Sequence, residues 1–139
     1  MKKLLFIFAL LLAVVAFSSC EKDDALENTP IIYQNENYGF SLTFPETWKN
    51  YTTKEENTTL GKTIYFGFAE QETGLFAVSA MTKAKWAEVN SEDGPKPAYL
   101  GENENYVFGW GPAQHAANDE MLERMNEIVL LIQTFKVIN

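Results

Sequence analysis

The chain of 139 residues has one cysteine, Cys20, and one histidine, His115. A single thiol allows no intramolecular disulfide and no cysteine zinc cluster, and a single imidazole means that any triad or imidazole general base must use His115. Basic side chains are scarce too, 11 against 19 acidic ones. Phosphates repel such a surface, because nucleic-acid binding depends on lysine and arginine displacing counterions. No nucleic-acid partner is therefore expected, and anionic lipid headgroups are disfavoured for the same reason. A cationic partner or a divalent ion stays compatible with the charge, although acidic side chains also serve simply to solvate a surface. The sequence contains no G-x-S-x-G, no G-x-G-x-x-G and no H-E-x-x-H. Gly61-Lys62-Thr63 matches the end of a phosphate-binding loop, but Glu56 stands where its first glycine belongs and a strand pattern follows, so the match is fortuitous.

Long apolar runs are likewise absent, with one exception. Leu4 to Phe17 is unbroken leucine, isoleucine, phenylalanine, valine and alanine behind Met1-Lys2-Lys3. A membrane-spanning helix needs about 20 apolar residues; this run stops short and gives way to Ser18-Ser19 and Cys20. That is the pattern of a signal-peptide core. Small residues ahead of a cysteine resemble the lipobox of bacterial lipoprotein precursors, with Phe17 departing from the aliphatic residue usual at its place. The resemblance implies that residues 1–19 are removed and that Cys20 becomes the lipidated first residue, which leaves no free catalytic thiol; the alternative is a secreted protein with an incidental buried cysteine. Each buried acyl methylene contributes about 0.8 kcal/mol, so two or three chains hold a protein at a bilayer. Loss of Lys2 and Lys3 leaves nine basic against 19 acidic side chains, a net charge near −10.

Residues 20–30, from Cys20 through Glu21-Lys22-Asp23-Asp24 to Pro30, are polar without apolar periodicity and read as a flexible acidic tether. Lys22, Asp23 and Asp24 resemble the lysine-then-acidic export signal of surface lipoproteins of the Bacteroidota. This implies an outer-membrane protein at the cell surface, the periplasmic face being the alternative.

Residues 31–139 are expected to form one domain. Ile31 to Gln34 and the alternating Phe40, Leu42 and Phe44 flank a polar turn and predict a hairpin that Pro45 stops, with one helical turn over Glu46 to Lys49. Alternation predicts a second antiparallel pair, Ile64 to Ala69 and Phe76 to Met81, joined through Gln71 to Gly74. Thr82 caps a short helix over Lys83 to Val89. A third pair, Tyr99 to Gly101 and Tyr106 to Trp110, puts Tyr106, Phe108 and Trp110 on one face. The acidic pairs Glu55-Glu56 and Glu102 with Glu104 fall in expected loops or turns, without an apolar pocket to shift a pKa towards glycosidase chemistry. At the C-terminus Met121, Met125, Ile128, Ile132 and Phe135 recur at helical spacing, Leu122 and Val129 widen the stripe, and Asn118-Asp119-Glu120 supplies a cap and first-turn acids.

Tyr38-Gly39-Phe40-Ser41-Leu42-Thr43-Phe44-Pro45-Glu46-Thr47-Trp48-Lys49 resembles the opening hairpin of PsbP-like domains. Phe76 to Trp86 is similar to that family's strand running into a short helix, Tyr99 to Trp110 to its late hairpin, and Ile128 to Phe135 to the end of its closing helix. The resemblance implies an α+β fold, an antiparallel β-sheet sandwiched by helices, and a non-catalytic binding or accessory module without cofactor or metal. No catalytic residue set carries over, since a fold hosts many functions. The expected partner is another envelope protein or a ligand. Trp48, Trp110 and His115 are the candidate contacts, although turn geometry and packing also account for Gly39, Pro45 and Trp48. The alternative is a small envelope hydrolase using His115 with a nearby carboxylate; Asp119 and Glu120 are its neighbours in sequence, and one of them with His115 is also the weak ligand set a divalent ion would find.

Overall fold

The computed structural model describes residues 29–139, so Cys20 and the Lys22-Asp23-Asp24 motif lie outside the described residues. β1 (Ile31–Asn35) and β2 (Phe40–Phe44) form the expected antiparallel hairpin. Its turn is closed by the Gly39 amide on the Asn35 carbonyl and the Tyr38 amide on Asn35 Oδ1. Gly39 has φ +81°, and a Cβ there would come within 2.8 Å of the Ile138 carbonyl oxygen, so both conformation and space require glycine. Alternation buries Phe40, Leu42 and Phe44 completely. Pro45 then ends the strand, and a single 3-10 turn (Glu46–Trp48) swings Trp48 inward.

β3 (Thr52–Thr58) follows, paired antiparallel with β4 (Gly61–Gly67). Glu55 and Glu56 therefore lie in a strand, not in a loop, and the reason is visible. β3 is an edge strand whose side chains are almost all exposed, so it has no apolar face to alternate, and its charges guard the open edge. β5 (Phe76–Met81) pairs with β4 as expected. α1 (Lys83–Ser91) is capped by Thr82 Oγ1, which accepts from the Lys85 amide. β6 (Ala98–Glu102) and β7 (Val107–Pro112) make the late hairpin, which takes Glu102 into a strand. α2 (Asp119–Ile132) begins under its Asn118 cap, and β8 (Lys136–Val137) closes the chain.

The class is α+β, but with two antiparallel sheets where one was expected: β3-β4-β5-β7-β6 and β1-β2-β8. The hairpin's inner face, apolar apart from the buried Asn35 and the Tyr33 hydroxyl it donates to, packs onto the larger sheet instead of extending it, with Tyr33 edge-on to Phe66 at 4.9 Å and Phe40 against Phe108 at 5.3 Å. The closing helix is also shorter than the stripe suggested. Thr134 Oγ1 donates to the Leu131 carbonyl and is within bonding distance of the Thr43 carbonyl, while the Thr43 amide donates to it. This exchange turns the chain out of the helix and into β8, beside β2, and stacks Phe135 on Phe40.

α2 shares the inner layer with the small sheet, burying Met121, Ile128 and Leu131. Leu122 and Val129, expected to widen its apolar face, are instead 51% and 60% exposed. α1 lies on the opposite face of the large sheet, where Trp86 and Met81 close over Gly109. One helix thus covers each face, but the inner cover is mostly strand.

Candidate functional site

The structure removes Trp48 from the candidate contacts. It has no exposed surface, packs on Phe44, Phe68 and Phe76 at ring separations of 5.2 to 5.7 Å, and donates from Nε1 to Glu127 Oε2 at 2.8 Å. It is a core residue whose one polar atom is satisfied. Trp110 is half-buried on β7, opposite Val78; it packs on the core and also lines the outer hollow described below. His115 is exposed in the turn before α2, and its imidazole has no hydrogen bond or ion pair with any described residue. Glu120 is directed to Arg124 at 3.6 Å. Among the described residues no group of three histidine, cysteine, aspartate or glutamate side chains could hold a metal ion.

What fixes the His115 turn is a residue that the sequence hides. Gln71 is buried and bonds three backbone groups: Nε2 donates to the carbonyls of Gly74 and His115, at 2.9 and 3.2 Å, and Oε1 accepts from the Ala117 amide at 2.9 Å. In sequence it is one more polar turn residue. Its function depends on a segment more than 40 positions away.

Two concave surfaces emerge from the fold. The first arises because α1 covers only part of the outer face of the large sheet. Where cover ends, the register brings Thr63 opposite Ser79 and Tyr65 opposite Ala77, with Ala77 in turn opposite Gly111. Small and hydroxyl side chains leave a hollow of about 520 Å³ there, walled by the Thr58–Leu60 turn and by Pro95, Lys96 and Pro97. Its floor is a hydroxyl ladder, Thr58 Oγ1 to Thr63 Oγ1 to Ser79 Oγ, with both spacings 2.9 Å. A Cβ on Gly111 would meet nothing within 4 Å, in keeping with open space above it. A second hollow, of about 410 Å³, adjoins through Tyr65 and includes Lys54, Glu56, Glu72 and Thr73. There Lys54 and Glu56 are paired at 2.6 Å, and hydrogen bonding to this carboxylate raises the ammonium pKa. The outer hollow itself offers hydroxyls, a phenol ring and an ammonium, but no imidazole and no carboxylate. It is equipped to hold a hydrogen-bonding ligand.

The second concavity is a groove of about 700 Å³ between the outer side of the hairpin and the end of α2, lined by Pro30, Thr43, Phe44, Pro45, Leu130 and Leu131 among others. It is mainly apolar, and Leu130 is 70% exposed beside it. His115 lines none of these three cavities.

A tyrosine cluster ties the two sheets together at Glu55. Tyr38 donates to Glu55 Oε1 at 2.5 Å and meets Tyr106 edge-on at 5.5 Å. Desolvation, and then the Glu55 carboxylate as acceptor and charge, push the Tyr38 pKa up to about 12. Burial likewise raises Tyr33 and Tyr51. These shifts keep the phenols neutral, a structural effect and not the downward shift that a tyrosine base needs.

No family model, no curated protein and no solved structure matches the chain.

Proposed function

We propose that the chain is the precursor of a lipid-anchored outer-membrane protein facing the cell surface, whose PsbP-like α+β domain is a non-catalytic binding or accessory module. The carrying observation is the outer hollow, which presents hydroxyl, phenol and ammonium groups to a ligand, while His115 stands apart in solvent. The antiparallel hairpin over Ile31 to Phe44, the 3-10 turn that follows it to Trp48, and the helix on each side of the large sheet support the PsbP-like reading. The run ending at Ser18-Ser19-Cys20 supports the anchor, and Lys22-Asp23-Asp24 the surface address.

Capture from the native envelope tests the binding role. The pair Tyr65→Ala with Lys96→Ala, both in the hollow, should lose the captured partner or ligand at an unchanged melting temperature, and His115→Ala should keep it. Hydrolytic turnover that His115→Ala abolishes would replace this reading with the hydrolase. For the anchor, Cys20→Ala should abolish lipid labelling and release the protein from membranes. For the address, replacing Lys22, Asp23 and Asp24 by alanine should preserve lipidation but protect the domain from external protease on intact cells, whereas the parent is shaved. Equal digestion would remove the export role, and protection of both would place the protein on the periplasmic side.

A further inference from the structure

Single exposed apolar residues are ordinary, but clusters mark contact surfaces. Of the large hydrophobic side chains exposed among the described residues, Leu122, Val129 and Leu130 lie on the outer side of α2, and Ile32 lies on the outer side of the hairpin. Leu122 and Val129 are seven residues apart, on one helix face, with Leu130 beside them. Ile32 is the register partner of Thr43, which lines the same groove as Leu130. The four therefore border one surface that takes in the mainly apolar groove, whose lining also includes Glu46 and Glu127. Pro30, at the start of the described chain, lines that groove.

We infer that this surface rests on the bilayer that holds the lipid anchor, seating its apolar side chains among zwitterionic lipids. The inference rests on Cys20 being lipidated. Cys20 precedes Pro30 by ten residues. Ten residues can span at most about 35 Å even when fully extended. A domain of this size has a radius of gyration near 13 Å, equivalent to a sphere of about 17 Å radius. The anchor therefore stays within about one domain diameter of Pro30, which favours the side that carries Pro30 as the side the membrane meets.

The chemistry of the patch agrees with a neutral lipid partner. Glu120, Glu123 and Glu127 along α2 disfavour anionic headgroups and equally disfavour a second copy of α2, whose like charges would be brought together. The patch is too small to bind membranes alone. Anchoring makes its contact intramolecular, so that a weak apolar surface is used at an effective concentration in the millimolar range. An anchored domain would then lie in one orientation, with the outer hollow, on the opposite face of the large sheet from α2, turned away from the lipid.

The test uses intact lipidated protein in phosphatidylcholine vesicles with brominated acyl chains. A fluorophore is placed at Leu130→Cys in one sample and at Tyr99→Cys in another; Tyr99 is exposed beside Trp86 of α1, on the outer face. Lipid consumes the native thiol, so each label is unique. The label at position 130 should be quenched at least twofold more than that at position 99, and adding Ile32→Asp with Val129→Asp should abolish the difference at an unchanged melting temperature. Equal quenching in protein shown by mass to carry lipid overturns this inference alone. Unmodified Cys20 removes the anchor reading and this inference with it. Pairing of two labels at position 130, without quenching, would assign the surface to a second copy and overturn the lipid contact.

Discussion

Truncating Trp48 separates a core role from a ligand-contact role, the two readings that the sequence left open for it. Its indole is fully buried among Phe44, Phe68 and Phe76, and its Nε1 donates to Glu127. Removing a buried aromatic to alanine costs about 3–5 kcal/mol. The lost hydrogen bond adds only about 1 kcal/mol, since the Glu127 side chain is 31% exposed and keeps Thr47 Oγ1 as a donor. Trp48→Ala should therefore lose about 4–6 kcal/mol, a large part of the roughly 5–15 kcal/mol that holds a domain together. Trp48→Phe keeps a ring against its neighbours and should lose about 1–3 kcal/mol. Urea unfolding followed by far-ultraviolet circular dichroism measures both, because the signal does not depend on the deleted indole. The result that refutes the reasoning is Trp48→Ala within about 1 kcal/mol of the parent, which would mean that the indole is not an anchor of the core.

Three further outcomes follow from the structure. Ile128→Asp places a charge in the inner layer and should cost several kcal/mol, on the order of 4, whereas Val129→Asp, one residue on but facing out, should stay within about 0.5 kcal/mol; similar melts for both would show that α2 is rotated from the orientation described. Gln71→Ala unties three backbone bonds and should speed amide exchange at Ala117 far more than in β5, as read by hydrogen exchange; unchanged exchange would deny that Gln71 holds the turn. Tyr38 has a pKa raised above the unfolded value of 10.0 to about 12, so the stability it contributes is complete below pH 10 and is lost as pH climbs towards 12; the stability gap between parent and Tyr38→Phe should shrink over that window, and a gap that is constant from pH 9 to 12 counts against the Glu55 contact.

Local chemistry alone determined a good part of this protein. The alternation of Phe40, Leu42 and Phe44, the stop at Pro45, the Thr82 and Asn118 caps and the antiparallel pairing of β4 with β5 all arise from neighbours a few residues apart, and all were legible. The α+β class followed from them. Tertiary structure decided the rest, because the deciding partner in each case is distant in sequence. β3 is a strand only because β4 offers it an edge, and β8 exists because Thr134 reaches back across 91 residues to Thr43. Periodicity locates an apolar stripe on α2 but not its angular limits; the layer it packs against set those, exposing Val129 and burying Leu131. The site was least legible of all. Trp48, which the sequence left open to packing or contact, proved to be core, while the hollow above the Thr58–Thr63–Ser79 ladder is built from small and hydroxyl residues that mean nothing singly and acquire a shape only when three strands align them beyond the edge of α1.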